Sequence, residues 1–265
     1  MTTTEANGTW IALTRDVSGT LGDCELSFVD RVPIDVGRAI EQHAAYRRAL
    51  ASLGCEVVAL PATDDHPDAV FVEDVAVVLD GIAVVTRPGA PSRRAEVASV
   101  AEELARLRAL KTIEAPGTLD GGDVLTIDRT IYVGVSARTN AEGIAQLRAI
   151  ASEAGYVVQA VPIRGCLHLK TAVTEVAEGT VLIHPDWVDR LAFAPFRQIE
   201  IDRAEPHAAN ALRIGDGVIY PASFPRTLRR LEEAGIAPTL VDVCELQKAE
   251  GAVTCCSLVF DRAPR

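Results

Sequence analysis

The chain has 265 residues, 48% of them hydrophobic, and a formal net charge of −11 at pH 7. This composition is typical of a packed globular protein and argues against intrinsic disorder. Its basic residues occur as scattered singles and pairs. A nucleic-acid-binding protein needs a positive surface to displace counterions, so we expect no nucleic-acid partner.

The N-terminal residues and the cysteines bear on the cellular location. Residues 1–7 lack the basic start and the apolar region of a signal peptide, and no run of about 18 apolar residues predicts a membrane span. No Cys-x-x-Cys spacing indicates a zinc site. We therefore expect a cytoplasmic protein with reduced cysteines and no membrane contact. The six cysteines are Cys24, Cys55, Cys166, Cys244, Cys255 and Cys256.

Three amphipathic helices are predicted in the first part of the chain. Asp35 is a typical N-cap for the first helix, and Gly54 is a typical stop. The second helix begins near Ser92. The third begins near Asn140 and ends at Gly155. In each segment apolar residues recur every three or four positions, as on the buried face of a helix.

Four hairpins follow a common pattern of two apolar strands around a two-residue turn. The turns are separated by 48, 50 and 38 residues, and most hairpins are followed by a helix and a short strand. This spacing predicts a degenerate repeat of strand–strand–helix–strand units. The predicted turns are Asp80-Gly81, Asp128-Arg129, Glu178-Gly179 and Asp216-Gly217.

The two chain ends are expected to supply a fifth unit. Residues 253–260 and 10–14 are both strand-like and have no other partner in the repeat scheme. Their pairing would close a ring of α/β units, with a pocket at the centre where strand ends and loops meet. No linker rich in proline, glycine or serine divides the chain, so we expect one domain over residues 1–265.

Several acidic residues stand at positions where a charge is costly to bury. Glu73 and Asp74 border an apolar run, Asp68 lies just before them, and Asp120 begins a glycine-rich segment. A planar guanidinium carries five N–H donors and is best held by paired carboxylates. The acids therefore indicate a site for a guanidinium cation, although a strand cap or a tight turn would explain each segment taken singly.

A second set of residues offers a nucleophile, a proton carrier and anion-binding groups. His168 enters a predicted strand and could move protons near neutral pH. Neighbouring Cys255 and Cys256 would face opposite sides of a strand, so one thiol could reach a pocket. Arg93 and Arg138 could each clamp a carboxylate. Taken singly, each of these residues is more often a core or surface residue.

Six segments, in the same order along the chain, resemble the dimethylarginine dimethylaminohydrolase family of the pentein superfamily. The resemblance implies a five-bladed α/β propeller with pseudo-fivefold ββαβ repeats, in agreement with the repeat above. The segments are 71–78, 86–94, 119–124, 136–140, 167–170 and 254–257.

The resemblance implies a catalytic role for three residues. Cys255 would attack the guanidinium carbon of a methylated arginine. His168 would protonate the leaving dimethylamine and then activate the water that resolves a thiouronium-type intermediate. Asp120 would support His168. This chemistry needs no metal and no organic cofactor, and the substrate cation itself would help to ionise Cys255.

The resemblance also implies how a guanidino substrate is held. Glu73 and Asp74 would bind the guanidinium, with Asp68 close by. Arg93 and Arg138 would bind the α-carboxylate. Backbone groups at the α-amino end would come from Leu26 and Ala249. Residues 22–28 fall where the family has a mobile lid, and they share chiefly the leucine with it. Dimers are common in the family, so a homodimer is the assembly that the resemblance suggests.

Other functions stay open at this stage. Arginine deiminases use the same chemistry on unmethylated arginine but usually carry an extra helical insertion, and amidinotransferases are normally longer. Non-catalytic penteins lack the Cys–His–acid set that this chain has. A zinc or redox protein built on Cys255 and Cys256 would need a second ligand pair, which the sequence does not show. Hydrolysis of a methylated arginine is therefore the leading prediction.

Overall fold

The computed structural model describes residues 10–262, which form five three-stranded sheets connected mainly by helices. The strands are β1 (Trp10–Arg15), β2 (Cys55–Leu60), β3 (Ala76–Val78), β4 (Ile82–Val85), β5 (Ala109–Thr112), β6 (Val124–Ile127), β7 (Thr130–Val135), β8 (Val157–Pro162), β9 (Val173–Ala177), β10 (Thr180–Ile183), β11 (Arg197–Glu200), β12 (Leu212–Ile214), β13 (Gly217–Pro221), β14 (Thr239–Val241) and β15 (Leu258–Asp261). The helices are α1 (Val36–Ser52), α2 (Val97–Leu104), α3 (Ala141–Glu153), α4 (Leu169–Ala172), α5 (Pro225–Glu233) and α6 (Cys244–Gln247).

Each sheet repeats one topology. The first strand pairs antiparallel with the second, and the second pairs parallel with the third, as β3, β4 and β5 do. In four sheets a hairpin joins the first two strands, and in the fifth these strands are the two ends of the described chain. A parallel pair needs a crossover between its strands, which explains the helix between the second and third strands. The crossover contains an α-helix in four units. In the unit of β9, β10 and β11 it contains the 3₁₀ helix Arg190–Phe193.

The two ends of the described chain build the fifth unit, as the sequence predicted. Strand β1 is central, with β15 antiparallel on one side and β2 parallel on the other. Leu13 pairs with Leu258, and Trp10 pairs with Cys55. The first strands of all five units line one cavity of about 220 Å³. The units are therefore arranged around a common centre, and the α/β fold class is confirmed.

Helix boundaries follow the capping residues. The Asp35 side chain accepts an amide N–H of the first turn of α1 at 3.0 Å, and Gly54 ends that helix with φ +88°. Asn140 caps α3 at 2.8 Å, and Gly155 ends it with φ +77°. The second predicted helix differs, because its first turns form the 3₁₀ helix Pro91–Glu96 and only α2 is α-helical.

Three of the four predicted hairpin turns are confirmed, and the fourth was placed one residue too late. Ile214 pairs with Gly217, so the turn residues are Gly215-Asp216 rather than Asp216-Gly217. Gly215 has φ +57°, a left-handed conformation that glycine adopts without a steric penalty. The glycine that the turn requires is therefore the one before the aspartate.

The hydrophobic core lies mainly between the helices and their sheets. In one unit, Ile144 and Leu147 of α3 pack against Ile131 and Val133 of β7, and all four side chains are buried. The helices pack against the sheets. Three of the predicted site residues, Asp74, Asp120 and Cys255, lie in or next to turns that lead into first strands. No helix within residues 10–262 is long and apolar enough to cross a lipid bilayer.

Short turns precede the first strands of several units, and two sequence expectations were wrong there. His168 does not enter a strand; it immediately precedes α4, where the Leu169 amide bonds to Asp123 at 3.0 Å instead of to a strand partner. Cys255 lies in a turn that ends before β15, and its amide N–H donates to the Ala252 carbonyl at 3.2 Å. A carboxylate from a distant segment at the first position and a local backbone acceptor at the second thus replace the predicted strand ladder.

Candidate active site

Seven of the ten predicted site residues line one narrow cleft with a free volume of about 20 Å³. They are Asp68, Asp74, Arg93, Arg138, His168, Ala249 and Cys255. The remaining lining residues are Glu25, Phe71, Leu167, Glu250 and Gly251. The cleft is distinct from the central cavity. The seven site residues therefore do not line the central pocket that the repeat predicted.

Glycine permits the close approach of the turns that carry the acids and the histidine. Asp74 lies in the 3₁₀ turn before β3, Asp120 directly before the turn that leads to β6, and His168 before α4. A Cβ atom on Gly122 would lie 2.6 Å from His168 Nδ1 and 2.8 Å from Asp74 Oδ1. Only glycine leaves room for these side chains, which explains the glycine-rich segment seen in the sequence.

His168 lies between two buried carboxylates. Its Nε2 is 3.1 Å from Asp120 Oδ2, and its Nδ1 is 3.7 Å from Asp74 Oδ1. Burial by itself would lower the pKa of His168, but Asp74, Asp120 and the nearby Asp123 raise that pKa to about 9. At neutral pH the ring is therefore a cation that can donate a proton.

Asp123 is a third buried carboxylate near His168. Its Oδ1 accepts the Leu169 amide at 3.0 Å, and its Oδ2 accepts the Ser136 hydroxyl at 2.6 Å. The Ser136 hydroxyl oxygen in turn accepts the amide of Arg138 at 3.0 Å. Burial raises the pKa of Asp123 to about 6, against the opposing charge of His168. Asp123 therefore links the turn of His168 to the loop of Arg138.

Asp120 is fully buried behind His168, outside the lining of the cleft. Its Oδ1 accepts the Gly89 amide at 2.8 Å, and its own amide donates to the Thr139 hydroxyl at 3.2 Å. With Oδ1 fixed in this way, Oδ2 points at the imidazole. The geometry suits a carboxylate that orients His168 and stabilises its charged form.

Arg93 is buried, and the protein itself occupies most of its donors. One Nη donates to the Asp74 carboxylate. The other Nη donates to Glu96 at 2.8 Å and to the Phe71 carbonyl at 3.0 Å. Burial would lower the pKa of Arg93, but Asp74 and Glu96 raise it well above its usual value. Arg93 therefore holds Asp74 in place, and it could bind a substrate carboxylate only by releasing some of these bonds.

Arg138 is less engaged. Its Nη2 lies 3.4 Å from the Ser27 hydroxyl, and its Nη1 lies 3.9 Å from Asp120 Oδ2. Both distances are long for charged hydrogen bonds. Because Arg138 also lines the cleft, its guanidinium has donors available for an anionic group of a ligand.

Glu73 lies next to the cleft but directs its carboxylate to the central cavity. Oε1 accepts Lys170 Nζ at 2.5 Å, and Oε2 accepts the Thr254 hydroxyl at 2.8 Å. Burial raises the pKa of Glu73, and Lys170 opposes that rise. The backbone amide of Glu73 donates to the Cys255 carbonyl at 3.2 Å. In this structure Glu73 therefore supports the Cys255 turn and does not line the cleft.

The two adjacent thiols have different surroundings. Cys255 is half-buried and lines the cleft, whereas Cys256 is fully buried and donates to the Ala252 carbonyl at 3.4 Å. Burial raises the pKa of Cys255 well above its usual value, and the charges of Glu73 and Asp74 raise it further. A cation bound beside these carboxylates would offset both effects and favour the thiolate.

Ala249 belongs to the lining of the cleft, whereas Leu26 does not. Ala249 is buried and lines the cleft directly. Leu26 is half-buried against the core, in a segment whose Glu25 amide donates to Asp68 Oδ2 at 3.1 Å. The structure thus brings the lid-like segment onto Asp68, one of the predicted guanidinium-binding acids.

Asp74, Asp120 and His168 offer ligand atoms within 4.8 Å of one another, which is close enough to hold a metal ion. Their charges are already matched within the protein, because Arg93 pairs with Asp74, and His168 pairs with Asp120. A metal ion would have to compete with both pairs. The arrangement is better suited to proton transfer next to a thiol than to metal binding.

Known proteins of one family resemble this chain. The family described as N,N dimethylarginine dimethylhydrolase, eukaryotic, matches residues 31–195. N(G),N(G)-dimethylarginine dimethylaminohydrolase of Streptomyces coelicolor is 45% identical over 93% of this chain and 95% of its own length.

Two solved structures share the fold, each with a TM-score of 0.90 and 36% identity over 94% of this chain and 98% of its own. One is the Pseudomonas aeruginosa enzyme, a cysteine-to-serine mutant in complex with citrulline. The other is a dimethylarginine dimethylaminohydrolase with a histidine-to-glycine change, as an adduct with S-methyl-L-thiocitrulline. The extent of these similarities shows that the chain belongs to the dimethylarginine dimethylaminohydrolase family.

Proposed function

We propose that this protein hydrolyses N(G),N(G)-dimethylarginine, and monomethylarginine, to citrulline and the corresponding methylated amine. The observation that carries the proposal is the cleft, in which a half-buried thiol, a charged histidine and two carboxylates are brought together from distant parts of the sequence. The similar enzymes named above carry the same activity in their names, and one of them was solved with citrulline.

The substrate guanidinium would bind against Asp74 and Asp68, because paired carboxylates match its planar array of N–H donors. Arg138 would bind the α-carboxylate, since its own contacts are long. Arg93 is proposed as a second contact, reached after it releases part of its bonding to Asp74 and Glu96. Backbone groups of Leu26 and Ala249 would hold the α-amino end, and Glu73 would act through the Cys255 turn.

Binding of the substrate cation lowers the cost of ionising Cys255 beside Asp74. The thiol releases its proton to solvent, and the thiolate attacks the guanidinium carbon to form a C–S bond. The bond from that carbon to the dimethylated nitrogen then breaks, and its electron pair stays on the nitrogen. His168 transfers its proton to that nitrogen, so the first product is dimethylamine. What stays on the enzyme is an S-linked thiouronium adduct.

The second half of the reaction uses His168 as a base. After giving up its proton the ring is neutral, and it can accept one proton from a water molecule that attacks the thiouronium carbon. The C–S bond breaks, citrulline leaves, and the thiol and the charged imidazole are restored. Asp120 keeps the ring oriented through both steps, because its Oδ2 lies 3.1 Å from Nε2. No metal is required for these steps.

Product analysis tests the proposal. Purified protein is incubated separately with asymmetric dimethylarginine, monomethylarginine and arginine, and citrulline and the released amine are quantified. We expect equal amounts of citrulline and dimethylamine from the first substrate. Cys255→Ser should abolish turnover, whereas the matched variant Cys256→Ser should keep it, because Cys256 packs in the core.

The alternatives give different results in this assay. Citrulline and ammonia from arginine alone would assign an arginine deiminase-like activity to the same site. Failure to turn over any guanidino compound, with folded protein and a free thiol, would favour a non-catalytic binding protein. A chelator should leave turnover unchanged.

Two further proposals concern the assembly, which the family membership suggests, and the cellular location. We propose a homodimer, which light scattering coupled to gel filtration would detect as twice the chain mass of 28.2 kDa. We further propose a cytoplasmic location, because all six cysteines are free thiols and a reducing compartment would keep them so.

A further inference from the structure

The carboxylate of Glu250 holds three consecutive backbone amides of a distant segment. Oε1 and Oε2 each accept the Ser27 amide at 3.0 Å, and Oε1 accepts the Val29 amide at 2.8 Å. Oε1 also accepts the amide of Phe28. Successive N–H groups that converge in this way form an anion-binding concavity. Here the anion is a side chain of the protein itself.

The backbone at Glu250 is unusual as well. Its φ is +57°, and Asp128 is the one other non-glycine residue with a positive φ among residues 10–262. Asp128 lies in a hairpin turn, where such a conformation is common. A glutamate in the left-handed region costs free energy, so the surroundings must compensate. In this conformation the Glu250 carboxylate reaches the amides of residues 27–29, and the bonds to them compensate for part of that cost.

Glu250 also lies at the right place to act on the cleft. It lines the cleft together with Ala249 and Gly251, and Cys255 follows five residues later. Residues 25–29 lie beside this part of the lining: Glu25 also lines the cleft, and residues 27–29 bond to Glu250. The other hydrogen bonds that join them to the rest of the described chain are few. Asp68 accepts the Glu25 amide, the Ser92 hydroxyl donates to the Glu25 carboxylate, and Arg138 Nη2 lies 3.4 Å from the Ser27 hydroxyl.

The segment has little hydrophobic anchorage of its own. Glu25, Ser27 and Phe28 are exposed, and Leu26 and Val29 are half-buried. Segments with few buried contacts open readily. The free volume of about 20 Å³ in the cleft is far smaller than an arginine-sized ligand. A ligand of that size requires the cleft to widen, and the weakly anchored residues 25–29 are the part of the lining that we expect to move.

We propose that Glu250 is a positioning residue, whose carboxylate fastens residues 27–29 over the cleft and thereby sets the position of Leu26. A carboxylate is needed because it accepts all three N–H groups with charge-assisted bonds. A glutamine keeps one acceptor oxygen but loses the charge, and its N–H₂ group in the place of Oε2 would face the Ser27 amide. The kinetic consequence rests on the proposed hydrolase function; the fastening itself does not.

Hydrogen exchange of the substrate-free protein tests the fastening directly. Peptides that span residues 27–29 should exchange slowly in the wild type and about tenfold faster in Glu250→Gln, because the three amides lose a charged acceptor. The matched control is Glu205→Gln. The Glu205 carboxylate also accepts two backbone amides, those of Arg226 at 2.9 Å and Thr227 at 2.7 Å, but in another unit.

Steady-state kinetics then tests the effect on the site. For a guanidino substrate that the wild type turns over, Glu250→Gln should raise KM by about tenfold and change kcat much less, because the fastening contributes to binding in the ground and transition states alike. Glu250→Asp keeps the charge on a shorter side chain and should partly restore both exchange protection and KM. Glu205→Gln should leave KM unchanged.

Unchanged exchange at residues 27–29 in Glu250→Gln would overturn the proposal, as would equal loss of protection there in Glu205→Gln, which would indicate general destabilisation. Faster exchange with an unaltered KM would also reject the positioning role. If the wild type turns over no guanidino compound, the proposed function fails, and the exchange experiment still decides whether Glu250 fastens the segment.

Discussion

At the scale of single residues, the charge around His168 decides how the site works. Asp74, Asp120 and Asp123 together raise the pKa of His168 to about 9, despite its burial. The folded protein therefore binds this proton more tightly than the unfolded chain does. Its contribution to the free energy of unfolding is complete below pH 6.5 and is lost as the pH rises through 9. The same proton is the one proposed for the leaving amine.

Asp123→Asn removes the charge of Asp123 while keeping the size of its side chain. The asparagine oxygen can still accept the Leu169 amide, but one of the three carboxylates that raise the pKa of His168 is gone. The alkaline limb of the pH–rate profile should move from near pH 9 to lower pH, with activity at pH 9 reduced by about tenfold. Asp74 and Asp120 remain to orient the ring. An alkaline limb that stays in place would show that Asp123 has no electrostatic effect on His168.

The thiol of Cys255 should be neutral in the free protein. Burial and the charges of Glu73 and Asp74 raise its pKa, so alkylation by iodoacetamide should be slow at neutral pH and should still accelerate above pH 9. Peptide mass spectrometry would distinguish Cys255 from Cys256. An alkylation rate that is already maximal near pH 7 would instead indicate a thiolate formed before any substrate binds.

At the scale of secondary structure, the turn that carries Cys255 depends on α1, because Tyr46 of that helix bonds to the turn. The Tyr46 hydroxyl donates to the Val253 carbonyl at 2.7 Å and lies 2.6 Å from the Ser257 hydroxyl, which can donate to it. These contacts bracket the nucleophile on both sides, although Tyr46 itself lies outside the cleft lining. The tyrosine is fully buried, so the loss of its hydroxyl leaves a carbonyl without a partner.

Tyr46→Phe should lower the free energy of unfolding by about 1–2 kcal/mol and reduce kcat, because the Cys255 turn loosens. Tyr220→Phe is the matched control. The Tyr220 hydroxyl donates to the Ala208 carbonyl at 2.8 Å and is also buried, but it lies in a different unit. Chemical denaturation and turnover should give similar losses of stability for the two variants and a loss of activity for Tyr46→Phe alone. Equal activity in both would contradict the role of Tyr46.

The elements that periodicity specifies could be predicted from the sequence, and the turns that carry the site could not. The capped α1 and α3 and three of the hairpin turns follow from local signals. His168 and Cys255 were expected on strands because apolar neighbours surround them. Their local conformation depends on partners far along the chain, such as Asp123 for the turn after His168. Pattern alone does not reveal such contacts.

The same limit applies to the substrate contacts. The motifs identified Arg93 and Glu73, but their charge partners in the structure were not visible in the sequence. Arg93 is bonded to Asp74 and Glu96, and Glu73 is bonded to Lys170. Which buried charges pair with one another depends on how the units pack, and that information lies outside any single motif.

At the scale of the whole molecule, the five units are closed by the pairing of the two ends of the chain. β1 lies between β15 and β2, so the first and last strands share one sheet. We propose that the units form one cooperative domain, and calorimetry should then show a single unfolding transition. Two separated transitions would show that the ring contains independent parts.

Removal of residues 258–265 tests the closure itself. The truncated chain keeps Cys255 but loses β15, including Leu258 and Phe260, which are buried. The core then loses two large apolar side chains, each worth about 2–5 kcal/mol, together with the strand pairing. The truncated protein should lack a cooperative transition and activity. Retention of both would show that the final strand is dispensable.

The covalent intermediate provides the most direct test of the central claim that Cys255 attacks a methylated guanidinium. Wild-type protein and His168→Gly are mixed with asymmetric dimethylarginine, quenched in acid and analysed by intact and peptide mass spectrometry. We predict an adduct with the mass of the substrate less dimethylamine, located on Cys255, in wild-type protein quenched during turnover. His168→Gly should form much less of it, because no acid protonates the leaving amine. An adduct on another residue, or citrulline formed without any adduct on Cys255 and still formed by Cys255→Ser, would contradict the account.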